Sequence, residues 1–260
     1  MKKRFSFLNL VNLLIYLFII APLVVVVITS FSASSYLVFP PKGYSLEWYE
    51  YVFTSGRYVE PFWNSIFVAV AATALTLPIG TLISYATQRY QFRGKETAQS
   101  LFLAPLMVPS LLFGIGLLVF YSKLGIEAHY VRLVLAHIVL TVPYVVRTMN
   151  AGFSKINRSV EEASLILGAT PLQTFWLVTL PMVRPALAAS AFFAFIMSFD
   201  ELVVALFLTG PGMVTLPMLI YSDIQFNHNP AVAAVSSIII LATLVIGLLG
   251  MSLFKRSKIL

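Results

Sequence analysis

The chain has no cysteine and only three histidines among its 260 residues. The first absence excludes a disulfide framework, a thiolate metal site and a cysteine nucleophile, and it leaves the redox compartment unread. His129, His137 and His228 stand in no metal-ligand spacing such as His-Glu-x-x-His, so no metal site is assigned. Charge is scarce too: 10% of residues are Asp, Glu, Lys or Arg, where soluble domains carry about 25%. A Gly-x-x-x-x-Gly-Lys-Ser/Thr phosphate loop is missing, and Gly94-Lys95 has neither the upstream glycine nor the following hydroxyl, so ATP is bound elsewhere if it is used. No basic stretch is interleaved with stacking aromatics, which excludes a nucleic-acid partner. There is no internal repeat, low-complexity tract or second soluble domain.

What the chain does have is apolar surface, at 59% of residues. Lipid is therefore its main solvent. Its 14 prolines and 13 glycines fall among apolar runs, where membrane helices tolerate them because neighbouring helices and hydroxyls satisfy the freed backbone groups. Stretches long enough to cross a hydrocarbon core of about 30 Å lie at residues 7–31, 62–87, 99–121, 130–147, 185–208 and 230–254. The fold class is thus an all-α membrane protein with about six transmembrane helices. The fourth stretch is the shortest and is interrupted by His137 and Pro143.

Basic residues orient these spans. With the N-terminus inside, Lys2, Lys3, Arg4, Arg89, Arg93, Lys95, Arg147, Lys155, Arg158, Arg184, Lys255, Arg256 and Lys258 are cytoplasmic. Only Lys42, Arg57, Lys123 and Arg132 are left outside, the asymmetry expected of cytoplasmic loops. Both termini are then cytoplasmic. The first apolar run, about 25 residues, exceeds the 7–15 of a signal-peptide core and reads as an uncleaved anchor over residues 1–31. A loop follows at 32–60, with a turn at Pro40-Pro41-Lys42-Gly43 and Trp48, Tyr49 and Tyr51 as interfacial aromatics.

The longest cytoplasmic segment, 155–181, reads as two short helices. Ser159-Val160-Glu161-Glu162 fits a capping box, and Gly168 after Leu167 fits a left-handed residue that ends the first helix. Thr170-Pro171-Leu172-Gln173 fits a second box with proline at the first helical position. That helix is expected to run to about Thr179 and stop at Pro181. Helices this short are unstable alone in water. Leu165, Ile166, Leu167, Leu172, Phe175 and Trp176 therefore either fold back on the membrane helices or plug into a separate protein.

Glu162-Ala163-Ser164, three residues, Gly168, nine residues and Val178-Thr179-Leu180-Pro181 resemble the EAA loop of ATP-binding-cassette importer permeases, with every spacing matched. Ser164 and Val178 are size-conserving departures. Asn64-Ser65, Tyr85-Ala86 and Arg89 through Lys95 agree with the same family, and the resemblance spans roughly 61–254, with 255–260 as a basic tail. It implies a type I importer permease fold in a bacterial inner membrane, with a coupling-helix pair carried by Ser159, Glu161, Glu162, Ala163, Ser164, Gly168, Ala169, Pro171, Leu180 and Pro181. It also implies an ATPase dimer that binds ATP and Mg in place of any cofactor in this chain, a second homologous permease subunit and an extracytoplasmic solute-binding protein.

Asp200 and Glu201 fall inside the fifth stretch, where each charge costs about 2.5–3.5 kcal/mol. Counted from Pro185 at about 1.5 Å per residue, Asp200 lies about 22 Å along the helix. Adjacent positions are about 100° apart, so one carboxylate at most points squarely into a pathway. The pair is either structural or meets a cationic solute. Ser198-Phe199-Asp200-Glu201-Leu202-Val203-Val204, Leu208-Thr209-Gly210-Pro211-Gly212, Leu216-Pro217-Met218 and Asn229-Pro230 resemble the spermidine/putrescine branch of these permeases, which includes relatives for aminobutyrate, opines and other solutes. Asp200 matches the acidic pair of that branch, Glu201 replaces what is often a second aspartate, and Asp223 is a lesser candidate. Two rivals are a stand-alone carrier, which needs a repeat or ion site that is not found, and a membrane protease built on Gly152-Phe153-Ser154. The latter's His137 would lie about 25 Å away on one helix, too far to share a proton.

Overall fold

A computed structural model describes residues 7–36, 38–227 and 229–256, with side chains for 8–36, 38–227 and 229–248. The basic cluster Lys2-Lys3-Arg4, His228 and the tail beyond Arg256 lie outside the described residues. The chain divides into two compact units, one of residues 1–60 with 219–260 and one of Pro61–Met218. No strand is present among the described residues.

In the first unit, α1 (Phe7–Thr29) keeps most of its apolar side chains exposed, as a lipid-facing helix should. Its last carbonyls are met by hydroxyls, with Thr29 Oγ1 donating to Val25 O at 2.9 Å and Ser30 Oγ to Val27 O at 2.6 Å. The following loop holds a short helix not anticipated from the sequence, α2 (Glu47–Thr54), whose Glu47 and Glu50 suit the positive end of its dipole. Tyr49 reaches back to Ser30 Oγ at 2.7 Å and Trp48 stacks edge-on with Tyr51, so these aromatics also pack on protein rather than only on headgroups.

The second unit takes most of α3 (Val59–Arg89), whose 31 residues span about 46 Å and overrun a bilayer core. The third apolar stretch is broken: α4 (Lys95–Leu103) and a 3₁₀ turn at Ala104–Met107 meet α5 (Ser110–Lys123) at 105°. Pro109 suits this break, because proline disfavours a helical residue before it, here the extended Val108, and donates no N–H. The fourth stretch, by contrast, is one unbroken helix, α6 (His129–Phe153), that carries Pro143 within it. Next come α7 (Arg158–Ile166), α8 (Pro171–Thr174), a π turn at Phe175–Thr179 and α9 (Leu180–Met182). The fifth stretch is again two pieces, α10 (Arg184–Phe199) and α11 (Val203–Leu208). Among the described residues four helices are long and apolar enough to cross a membrane alone, or up to six if each bent pair counts as one span.

Val68, Tyr121, Leu133, Ala136, Val204, Ala205 and Leu208 form a core where α3, α5, α6 and α11 meet. A second core, of Val145, Met149, Phe153, Val183 and Ala194, lies between α6 and α10. Gly152 permits that approach: a Cβ built there would sit 2.4 Å from the Ala186 Cβ. The chain returns to the first unit through α12 (Leu216–Ser222) and a π turn at Asp223–Asn227, then ends in α13 (Ala231–Arg256), which packs on α1 and α2.

Candidate functional site

The segment between α6 and α10 forms a closed corner. Asn157, not Ser159, caps α7: its Oδ1 accepts the Ser159 N–H at 3.1 Å, and the box expected at Ser159 does not form. Asparagine caps as well as serine, and with Asn157 as the cap the helix begins two residues earlier than the Ser159 box requires. The far end of α7 closes as expected. Gly168 sits at φ +93°, Gly168 N–H donates to Leu165 O at 3.0 Å and Ala169 N–H to Ser164 O at 3.1 Å, a Schellman closure that glycine adopts without a Cβ clash. The Thr170–Gln173 box is present in both directions, at 3.3 and 2.8 Å. Ser164 and Thr174 hydroxyls, 3.1 Å apart, join the two helices.

The second helix does not stop at Pro181. The wider π turn lets Leu180 N–H reach back to Phe175 O, so the chain absorbs the proline's missing donor and stays helical to Met182. It then turns by 73° into α10.

The apolar residues of this corner divide. Phe175 turns inward, its ring 4.8 Å from that of Tyr85. Ile166, Leu167, Leu172 and Trp176 turn outward, with 85%, 88%, 68% and 57% of their surface exposed, and Leu165 and Leu177 are exposed beside them. Glu162 and Ala163 share the exposed surface, whereas Glu161 is buried. Its Oε2 lies 2.7 Å from Arg89 Nε on α3, and its Oε1 accepts the Thr179 hydroxyl at 2.8 Å. In the sequence Arg89 stands out as an orienting charge and as part of the Arg89–Lys95 stretch that resembles the permease family, and nothing local marks it as the partner of Glu161.

The two carboxylates of the fifth stretch both lie in the break between α10 and α11 but are used differently. Glu201 Oε1 accepts the Val204 N–H at 3.0 Å and so caps α11. Asp200 ends α10 with an exposed carboxylate that has no hydrogen-bond partner among the described residues. The adjacent Phe199 ring stacks on Phe195 at 5.8 Å and meets Phe62 edge-on at 6.4 Å.

Asp223 is different again. It is wholly buried, and Arg57, Tyr58 (2.7 Å) and Asn227 (2.8 Å) all donate to it. Burial alone would push its carboxyl up, but the bonds from Arg57, Tyr58 and Asn227 outweigh that and hold it below the usual carboxylate range. Beside it, Trp48, Tyr51, Arg57, Asn227 and Asn229 line an open cavity of about 360 Å³.

Ser154, the serine of the protease rival, donates to its own helix at Ala151 O, 3.1 Å away. His137 pairs instead with Ser198 Oγ at 2.7 Å, both deeply buried.

Residues 76–258 match the family described as binding-protein-dependent transport system inner membrane component. The chain belongs to that family. It is a transport permease, and it resides in a membrane. Over 253 residues the permease is 32% identical to the putrescine transport system permease protein PotI of Escherichia coli (strain K12), covering 95% of this chain and 90% of that one. It is 30% identical over 244 residues to the spermidine/putrescine transport system permease protein PotC of the same strain, covering 94% and 92%. Its fold matches that of a bacterial alginate ABC transporter solved in complex with an alginate pentasaccharide-bound periplasmic protein, with TM-score 0.75, 15% identity and 96% and 93% of the two chains covered.

Proposed function

We propose that the permease is the membrane subunit of an ATP-driven importer of small organic polycations, of the putrescine and spermidine kind. The observation that carries this is Asp200: an exposed carboxylate at a helix break, with no hydrogen-bond partner among the described residues, offers an ammonium group an ion pair. An oxyanion would be repelled there. The capping role of Glu201 leaves Asp200 as the solute contact, and the donors around Asp223 make that residue a structural tie.

Ile166, Leu167, Leu172 and Trp176, on a corner stiffened by three caps, form the plug for a nucleotide-binding subunit, with Glu162, Ala163 and Gly168 at its centre. ATP and Mg belong to that ATPase dimer. The remaining partners are a second permease of the same fold and an extracytoplasmic binding protein. The basic residues set the plug and both termini in the cytoplasm of a bacterial cell.

The test is reconstitution of the permease with its ATPase, second permease and binding protein in proteoliposomes. Putrescine uptake that requires ATP and weakens on Asp200→Asn is expected. Uptake of aminobutyrate but not putrescine would overturn the solute assignment. Absence of any cross-link from Leu167→Cys to the ATPase would overturn the plug.

A further inference from the structure

Arg89 and Glu161 lie on different elements, yet each is almost withdrawn from solvent, with side-chain exposures of 9% and 11%. A charge is costly in such a place unless another element holds it there. Arg89 is the last residue of α3, and Glu161 lies in the first turn of α7. Thr179, which donates to Glu161, belongs to the π turn that continues the second helix. One carboxylate therefore ties both plug helices to a single membrane helix. The guanidinium also lies over the Phe153 ring of α6, 5.9 Å from its centre. A second tether lies one residue away, where Arg158 Nη2 donates to Gln88 O at 2.5 Å.

The pair is not fully satisfied. Arg89 Nε meets Glu161 at contact distance without hydrogen-bond alignment, and Arg89 Nη2 is buried with no partner among the described residues. Removing either member of such a pair leaves the other charge buried without its counter-charge, so the two elements are held facing each other.

We infer that Arg89, Glu161 and Thr179 form a latch that makes the plug helices and the end of α3 move as one body, and that transport per ATP depends on it. Glu161 then acts through Arg89 rather than by touching the ATPase. This rests on the plug assignment above for its consequence but not for its geometry.

Because the chain has no native cysteine, spin labels at Tyr90→Cys and Ser159→Cys, both exposed positions beside the latch, are the only labels in the permease. In the full chain alone, the label distance is expected to be narrowly distributed and to broaden in Glu161→Gln and in Arg89→Gln. In the assembled, unlabelled transporter, solute imported per ATP hydrolysed is expected to fall about tenfold in each, the scale of removing one member of a shared network. The exchange Arg89→Glu with Glu161→Arg is expected to recover part of both; Glu161→Asp, which keeps the charge, gives the same comparison if the exchanged protein does not fold. A distance that stays narrow in the single variants overturns the latch whatever transport does. A broadened distance with unchanged transport per ATP overturns its coupling role. Loss of the Leu167→Cys cross-link to the ATPase would instead indict the plug and leave the distance result standing.

Discussion

Replacing Gly168 isolates the backbone contribution of the plug corner, because a Cβ at that position would meet nothing within 4 Å. The cost of a side chain there is therefore conformational: φ is +93°, and an L-residue held in the left-handed region loses about 1–2 kcal/mol. Asparagine loses less, alanine an intermediate amount, and β-branched valine most. Since α7 is only nine residues long and depends on its caps, about 1–2 kcal/mol lowers the ratio of closed to open corners roughly 5–30-fold. The assay is paired measurement of ATP hydrolysis and putrescine uptake in proteoliposomes, with permease content normalised. Transport per ATP should fall in the order glycine, asparagine, alanine, valine, while basal hydrolysis persists. Gly168→Asp, which adds a charge to an apolar docking surface, should fall below asparagine although the two have similar backbone tolerance. If valine matched glycine, or if the series followed side-chain volume and not backbone strain, the reasoning would be refuted.

Asp200→Asn should raise the KM for putrescine about tenfold or more, since hydrogen bonds to charged groups contribute about 1.5–3 kcal/mol, with basal ATPase unchanged. Glu201→Gln should stay near wild type because its amide oxygen still accepts the Val204 N–H, whereas Glu201→Ala should cost about 0.5–2 kcal/mol by thermal unfolding. Gly152→Ala should cost about 1–3 kcal/mol by the same measurement, because neither methyl of the resulting pair can rotate away. For Asp223 the folded-state pKa is depressed, so its contribution is present above about pH 4 and is lost as pH falls through the folded value. The Tm difference between wild type and Asp223→Asn should therefore be constant from pH 7 to about 4.5 and shrink below it; a difference that grew on acidification would contradict the assignment.

Features set by local chemistry were legible in the sequence. Thr170 and Gln173 need only three residues between them to cap each other, and Gly168 needs only the helix before it. The long apolar runs were equally plain. Less so were choices made by distant partners. Asn157 and Ser159 are both competent caps, and the helix starts from Asn157; the Arg89–Glu161 pair joins residues far apart in sequence, which no local pattern marks. Pro143 reads like Pro109, yet one is carried within α6 and the other accompanies a 105° break, because Pro109 follows a 3₁₀ turn and an extended Val108. Glu201 could be separated from Asp200 only once α11 was known to begin two residues later.

The 73° turn at Val183 places no loop between the plug and α10. Sixteen residues of rigid rod, about 24 Å, lie between that elbow and Asp200. A tilt of α10 by about 10° about the elbow would carry the carboxylate sideways by about 4 Å, enough to grip or release an ammonium group. On the assignment proposed above, the molecule thus has a crank whose short arm faces the fuel-burning partner and whose long arm ends at the cargo.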